Sequence, residues 1–207
     1  MKKIRSIAVI TSLLLLAGCS TMNKEECLSA DWRMIGLKDG EQGRLLSQVG
    51  EYSKQCAEYG VMPDQDRYAS GRTEGLKVYC TEAAGFNQGK KGYEYKGVCS
   101  PESRDDFMAG YKIGQKYYEA KSEISTLESQ ISDNDSDIER DAKKIQKLSH
   151  QIQQGSDSAQ VKQDMMNKIL KLNSKNTQRE TENIRLREQL AVKKYQYQQL
   201  KAKYGYQ

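Results

Sequence analysis

The chain contains 207 residues, of which 37% are hydrophobic and 29% are charged, with a formal net charge of +5 at pH 7. This low hydrophobic content excludes a large globular core and favours one or two small domains. Three positive charges and no acidic residue lie in residues 1–18. The rest of the chain is therefore only slightly positive, which excludes the strongly basic surface typical of nucleic-acid-binding proteins.

The N-terminal segment has the organisation of a bacterial signal peptide. Lys2, Lys3 and Arg5 precede an uncharged apolar run over residues 7–16. A basic segment followed by a short apolar segment is typical of secretory signals, and this run is too short to span a bilayer as a stop-transfer helix. We therefore expect residues 1–18 to be removed from the mature protein.

The stretch Leu16-Ala17-Gly18-Cys19 resembles the lipobox of bacterial lipoproteins. The resemblance implies that Cys19 becomes the N-terminus and carries covalent diacylglycerol and a further acyl chain such as palmitate, with no other cofactor. Several acyl chains anchor a protein stably to a membrane. In such lipoproteins an aspartate after the cysteine favours inner-membrane retention, and Ser20 occupies that place, so we expect the periplasmic side of the outer membrane. The alternative is a plain secretory signal with an incidental cysteine.

Four further cysteines, Cys27, Cys56, Cys80 and Cys99, lie downstream. An even number of cysteines in an oxidising compartment predicts two disulfides, each stabilising a small domain by about 3 kcal/mol. Three connectivities are possible, and the sequential one, Cys27 with Cys56 and Cys80 with Cys99, closes the shortest loops and is favoured. A metal site or reactive thiols would be the alternative, but residues 19–115 contain no Cys-x-x-Cys pair and no histidine.

An Asp-x4-Gly-x3-Gly pattern recurs in the same region. A fourth glycine pair, Gly85 and Gly89, has Cys80 in place of the aspartate. Each copy predicts a short helix, and two glycines spaced four apart allow another backbone to approach closely. The alternative is that the glycines end helices at turns. The three copies are Asp31 with Gly36 and Gly40, Asp66 with Gly71 and Gly75, and Asp105 with Gly110 and Gly114.

A basic and aromatic loop is predicted over residues 89–97. Tyrosine and lysine together can engage glycan, anionic lipid or peptide, so the loop is a candidate contact surface. A loop that is merely solvated is the alternative. The candidate contact residues are Lys90, Lys91, Tyr93, Tyr95 and Lys96.

Several short motifs in residues 19–115 are shared with a known family. Besides the four cysteines they are Asp31-Trp32, Ile35-Gly36, Asp39-Gly40, Pro63-Asp64, Gly71-Arg72, Gly75-Leu76 and Tyr79-Cys80. With these motifs the region resembles the head of the Gram-negative lipoproteins classed as domain of unknown function 2799. The resemblance implies a small periplasmic lipoprotein domain and transfers no catalytic residue.

The remainder of the chain has a heptad pattern typical of a coiled coil. Gly155 interrupts the pattern, and residues 155–158 combine a helix stop with a helix start, in which Asp157 and Gln160 predict a capping box. A second apolar series follows in a different phase. Isoleucine occupies position a in five heptads, at Ile124, Ile131, Ile138, Ile145 and Ile152.

A fold-back at Gly155 accounts for this change of phase. It places Leu127 opposite Leu186, and it brings polar members of both series into one zone, where hydrogen-bonded layers would set the register at some cost in stability. An antiparallel coiled-coil hairpin is therefore favoured over the alternative, a long helix in a parallel oligomer. The polar members are Asn134, Asp141, Asn176, Arg179 and Asn183.

The C-terminal residues form a second candidate contact surface. From residue 193 onward the chain has four lysines, four tyrosines and no acid. Such a strip suits anionic headgroups or an acidic partner. Alternatively, its aromatic rings complete a junction with Tyr117 and Tyr118. The candidate residues are Lys193, Lys194 and Tyr197.

Catalytic and metal-binding motifs are not apparent. The single histidine, His150, occupies an outer heptad position. Residues 133–137 resemble the opening of a calcium loop, but Ile138 and Lys144 stand where glycine and glutamate are needed. We therefore expect neither an enzyme nor a metal site.

The predicted fold class is all-α, a small disulfide-stapled cluster of short glycine-rich helices followed by a long antiparallel coiled-coil hairpin. The predicted segments are a signal peptide at 1–18, a lipidated tether at 19–26, a helical head at 27–115 and the hairpin at 116–207. The expected function is that of a structural or adaptor protein with an envelope protein partner, or with itself through the coiled coil. A head that holds peptidoglycan, glycan or anionic lipid is the alternative.

Overall fold

The computed structural model describes residues 22–155 and 158–205, which form α-helices and no strand. The predicted all-helical class is thereby confirmed. The signal peptide and Cys19 lie outside the described residues. The helices are α1 Lys24–Leu28, α2 Trp32–Glu41, α3 Gln48–Ala57, α4 Gln65–Tyr79, α5 Glu82–Lys90, α6 Pro101–Gln154 and α7 Ala159–Tyr204.

The chain divides between Val78 and Tyr79 into two compact units, here called unit 1 and unit 2. The division falls within the region that the sequence analysis treats as one head. The boundary expected at residues 115 and 116 lies inside α6, which continues without a break to Gln154. The glycine-rich helix that carries Gly110 and Gly114 is therefore the first part of a 54-residue helix rather than a short one.

Local capping explains where the first helices of unit 1 begin. Asn23 and Glu26 form a capping box at the start of α1, and the Asp31 carboxylate accepts hydrogen bonds from two backbone amides at the start of α2. A disulfide between Cys27 and Cys56 joins α1 to α3 across a Cα distance of 5.5 Å. The predicted pairing of these cysteines is confirmed.

Glycines bring α2 and α4 of unit 1 into backbone contact. A Cβ added to Gly36 would overlap the carbonyl oxygen of Tyr68, and one added to Gly71 would overlap the carbonyl oxygen of Arg33. The same holds one turn further along each helix, at Gly40 and Gly75. These glycines lie inside helices, so they mark close approach and not helix ends.

Unit 2 repeats this arrangement with α5 and the first turns of α6. A Cβ on Gly85 would overlap the carbonyl oxygen of Phe107, and one on Gly110 would overlap that of Glu82. Gly89 and Gly114 take the places of the second pair. The chain therefore contains the same glycine-faced helix pair twice, and the predicted repeat corresponds to a repeated packing contact.

The second disulfide and a group of aromatic rings complete this part of unit 2. Cys80 and Cys99 are bonded across a Cα distance of 5.6 Å, which confirms the second predicted pair. Phe107 is fully buried, stacks on Tyr79 at 5.1 Å between ring centroids and lies 4.7 Å from the ring of Tyr95. Aromatic pairs at these distances add stability beyond their buried area.

Helices α6 and α7 contact each other within unit 2. Gly155 ends α6 in the left-handed conformation, with φ of +76°, and the Ser158 hydroxyl caps α7. The cap is one residue beyond Asp157, which lies outside the described residues. Residue numbers that rise along α6 are matched by falling numbers on α7. The contacting pairs include Glu123 with Lys193, Asn134 with Asn183, and Asp141 with Arg179.

Candidate interaction surface

A groove of about 780 Å³ lies in unit 2 beside the end of α5 and the face of α6 that follows the glycines. Two of the predicted contact lysines, Lys90 and Lys91, line it together with Tyr93. Helix α6 supplies Tyr118 and Lys121. The structure therefore joins part of the predicted basic loop to a stretch of α6 that the sequence analysis does not assign to any ligand.

One aromatic ring of the groove, that of Tyr118, lies against the backbone of the loop at Gly92. Gly92 has φ of +72°, and a Cβ added there would lie 2.6 Å from the ring of Tyr118. The backbone carbonyl of Tyr93 accepts a 2.8 Å hydrogen bond from the Tyr111 hydroxyl. The Lys91 ammonium lies 5.9 Å from the ring centroid of Tyr93. These contacts position both rings and one cation.

The two remaining predicted loop residues, Tyr95 and Lys96, both lie outside the groove. Tyr95 is packed inward, where its ring contacts Phe107 and its hydroxyl accepts a 3.0 Å hydrogen bond from the backbone amide of Cys99. Lys96 is exposed and does not line the groove. The groove thus contains Lys90, Lys91 and Tyr93 of the five loop residues named from the sequence.

The predicted C-terminal strip is engaged with α6. The Lys193 ammonium lies 2.7 Å from Glu123, and the Lys194 ammonium lies 2.8 Å from Glu128. The Tyr197 ring meets Tyr117 edge to face at 5.8 Å. These contacts correspond to the alternative interpretation of the strip, an aromatic and charged junction between helices.

A second groove, of about 860 Å³, lies between α6 and α7. It shares Tyr118, Ser122, Thr126 and Gln130 with the first groove but differs from it in charge. Its lining includes the apolar side chains of Leu127 and Val192, together with carboxylates such as Glu119 and Glu188. An apolar floor with acidic edges suits a protein segment better than an anionic ligand.

Farther along α6 and α7, polar side chains form a buried layer. Asn183 is 1% exposed, accepts a 3.0 Å hydrogen bond from Asn134 and donates a 2.7 Å hydrogen bond to Asp135. The Arg179 guanidinium donates to Asp137 at 2.8 Å and to Asp141 at 2.9 Å.

This ion pair shifts the pKa values of both partners. The Arg179 guanidinium lowers the pKa of the Asp141 carboxyl, and the same hydrogen bond raises the pKa of Arg179. Both groups are therefore held in their charged forms at neutral pH.

Unit 1 contains a buried carboxylate, that of Asp39. Asp39 is 5% exposed and accepts hydrogen bonds from the hydroxyls of Tyr68 at 2.7 Å and Tyr52 at 2.9 Å, while Arg44 lies 3.4 Å away. Burial and the hydrogen bond to Asp39 raise the pKa of Tyr52 to about 12. This network satisfies every member and has the character of a structural core.

Comparison with known proteins agrees with the repeated helix pairs. Residues 31–116 match the profile of a family described as Protein of unknown function (DUF2799). The matched segment begins at the cap of α2 and ends two residues after Gly114, so it contains all eight packing glycines. No curated protein and no solved structure shows a significant match to the chain.

Neither metal-binding clusters nor membrane-spanning helices occur in the described part of the chain. No group of three or more histidine, cysteine, aspartate or glutamate side chains is arranged there to hold a metal ion. None of its helices combines the length and the apolar character needed to cross a bilayer. The features that recur in the DUF2799 segment are packing glycines, disulfides and buried aromatic rings.

The seven groove residues on α6, which include Tyr118 and Lys121, are not predicted as ligand-binding residues from the sequence. Their spacing to the loop residues along the chain gives no sign that they share a groove. Asp39 of unit 1 enters the prediction only through the family resemblance, although its position three residues after Gly36 places it near the helix face that packs on α4.

Proposed function

We propose that the protein is a non-enzymatic outer-membrane lipoprotein that acts as a structural or adaptor protein, with α6 and α7 forming an antiparallel coiled-coil hairpin in the periplasm. The observation that carries the proposal is the length of this helix pair together with its buried polar layer. At 1.5 Å per residue, 54 and 46 residues correspond to about 80 Å and about 70 Å of helix.

The polar layer supports a single register for the hairpin. Displacing one helix by a turn would remove Asn183 from Asn134 and Asp135 and would separate Arg179 from its carboxylates. Buried polar groups that lose their partners cost more than apolar ones, so competing registers are disfavoured. A hairpin with one register presents the same outer surface along its whole length, as a docking or spacing element requires.

An exposed apolar stripe on α7 supports docking of a protein partner. Five large side chains fall within a narrow arc of the helix when placed at 100° per residue, and all of them are exposed. Exposed large apolar side chains aligned on one face of a helix favour contact with a protein partner. The stripe consists of Met166, Leu170, Ile184, Val192 and Tyr195.

The start of unit 1 is consistent with a position at the membrane surface. The backbone amide of Met22 donates a 3.0 Å hydrogen bond to Gln55, and α1 begins at Lys24. Met22 is three residues beyond Cys19, which corresponds to about 10 Å of extended chain. If Cys19 is lipidated, unit 1 begins close to the lipid headgroups.

Two experiments test the proposal. Metabolic labelling with palmitate, followed by membrane fractionation, should label the natural chain in the outer membrane and leave Cys19→Ser unlabelled. Photo-crosslinking in living cells with probes at Leu170 and Ile184 should give a discrete adduct to an envelope protein or to a second copy. A probe at His150, an exposed position of α6 and therefore outside the stripe, serves as the control. Absence of adducts at the stripe would contradict the adaptor function.

The second candidate function is ligand binding by the head. It is favoured by the groove beside Lys90 and Lys91, because an anion-attracting groove is not needed for a spacer. In this alternative the head holds peptidoglycan, glycan or anionic lipid.

A further inference from the structure

The charge of the 780 Å³ groove separates it from the other grooves of unit 2. Its lining contains Lys90, Lys91 and Lys121, and none of the described residues that line it is acidic. The groove between α6 and α7 has three glutamates and one lysine in its lining. A concave surface lined by one sign of charge concentrates ligands of the opposite sign.

The walls of the groove offer two exposed aromatic rings. Tyr93 is 57% exposed and Tyr118 is 47% exposed, a large fraction for rings held in place by neighbouring backbone. Contact with Gly92 restrains Tyr118, so little conformational entropy is lost when a ligand stacks on its ring. Exposed tyrosines present an apolar face and a polar hydroxyl to a ligand with the same mixed character.

A row of hydroxyl groups continues along α6 from the aromatic rings. The four residues follow spacings of three and four, which places them on one face of the helix. The lining contains no aliphatic side chain. These hydroxyl residues are Ser122, Ser125, Thr126 and Ser129.

We infer that this groove binds an acidic glycan, a chain of sugar rings that bears carboxylate or phosphate groups. Sugar rings pack on Tyr93 and Tyr118, the hydroxyl row exchanges hydrogen bonds with sugar hydroxyls, and the lysines bind the anionic groups. The volume falls within the range of about 300–1,000 Å³ found for small-ligand clefts. A lipid bilayer is the poorer match, because a groove without aliphatic residues offers nothing to acyl chains.

This inference deepens the ligand-binding alternative, and it names both the ligand class and the residues that bind it. The adaptor function depends on α7 and is tested separately by crosslinking. A result at the groove therefore leaves the outcome for the adaptor function unaffected.

The test uses the full chain in detergent, titrated calorimetrically with muropeptides released from peptidoglycan by a muramidase, which are disaccharides whose attached peptide carries free carboxylates. The double variant Lys91→Gln with Lys121→Gln removes two groove cations. The matched control, Lys112→Gln with Lys147→Gln, removes the same charge from exposed positions of α6 outside the groove. We expect the groove variant to lose affinity about tenfold or more and the control to change less than about twofold.

Two further measurements sharpen the result. Tyr93→Leu should also weaken muropeptide binding, because it removes a stacking face without changing charge. Maltopentaose, a neutral sugar chain, should bind much more weakly than muropeptides. Binding of maltopentaose with equal affinity would overturn the assignment of an acidic ligand.

The possible failures are distinguishable. Muropeptide binding that is unchanged in the groove variant would overturn the groove assignment while leaving a ligand-binding function in place. Binding to vesicles of phosphatidylglycerol that is lost in the groove variant, without any binding to muropeptides, would overturn the glycan class in favour of lipid. No binding of the natural chain to either probe would reject both the inference and the ligand-binding alternative.

Discussion

Tyr68 donates a 2.7 Å hydrogen bond to Asp39, and the two residues lie on helices whose glycines bring them together. In the equivalent helix pair of unit 2, Phe107 is the counterpart of Tyr68, because its carbonyl oxygen faces the packing glycine in the same way. Gln88 is the counterpart of Asp39, because each lies three residues after the first glycine of its helix. The hydroxyl donor and the carboxylate acceptor are therefore both present in one pair and both absent from the other. The two occur together because burying a carboxylate costs free energy unless hydrogen-bond donors accompany it.

The first prediction concerns this pair. Tyr68→Phe should lower the free energy of unfolding of unit 1 by about 1 kcal/mol, and Asp39→Ala by more, since it leaves two buried hydroxyls without their acceptor. The double variant should lose less than the sum, because both changes remove the same hydrogen bond. Trp32, the single tryptophan and a buried residue of unit 1, reports the urea transition by fluorescence. Strict additivity would show that the two residues do not interact.

The second prediction is a loss of stability at alkaline pH. The pKa of Tyr52 is raised to about 12 and that of Tyr68 is also raised, in both cases by burial first and then by Asp39. The folded state therefore keeps protons that the unfolded state releases near pH 10, so stability is full below pH 10 and falls as pH rises toward 12. The urea midpoint should drop between pH 9 and pH 11. The double variant Tyr52→Phe with Tyr68→Phe should show a smaller drop, and an equal drop would contradict the assignment.

The third prediction compares two glycines of unit 1. Gly71→Ala should destabilise by about 1–3 kcal/mol, because the added methyl group meets the backbone carbonyl of Arg33, which moves only with α2. Gly50 lies inside α3 with no atom within 4 Å of the added carbon. Gly50→Ala should therefore stabilise by about 0.5–1 kcal/mol. Both are measured by Trp32 fluorescence, and equal effects at the two sites would rule out close packing as the role of Gly71.

The fourth prediction tests the polar layer between α6 and α7. Asn183→Ala should lower the free energy of unfolding by about 1–3 kcal/mol, because it removes from a buried position the side chain that accepts a hydrogen bond from Asn134 and donates one to Asp135. Asn173→Ala, at an exposed position of the same helix, should change stability by less than about 0.5 kcal/mol. Thermal unfolding followed by circular dichroism at 222 nm checks both, since α6 and α7 dominate the helical signal.

Local spacing accounts for what could be predicted correctly. Glycines four residues apart with an aspartate five residues before them indicate a helix with a flat face, because helical geometry puts i and i+4 on the same side. The sequential cysteine pairs also follow from short separations along the chain. The expected short helix at Asp105 became the start of α6 because nothing near residue 115 stops a helix, whereas Gly155 does.

The lining of the candidate groove could not be predicted from local spacing. Lys90 and Lys91 could be proposed as contact residues from their composition, but Tyr95, two positions from Tyr93, faces the aromatic core. Which tyrosine faces out depends on Phe107 and Tyr111, which belong to another helix. Lys121 enters the groove only because α6 runs past the end of α5.

The sequence by itself determined the all-helical class, the repeated glycine motif and the even set of cysteines, because each depends on residue type and on spacing within one helix turn or one short loop. Only the tertiary structure decided that Asp39 is enclosed by Tyr52 and Tyr68, that Tyr118 rests on Gly92, and that three lysines share one groove. Those relationships depend on which helix faces meet, and backbone contact at the glycines determines that over long separations in the chain.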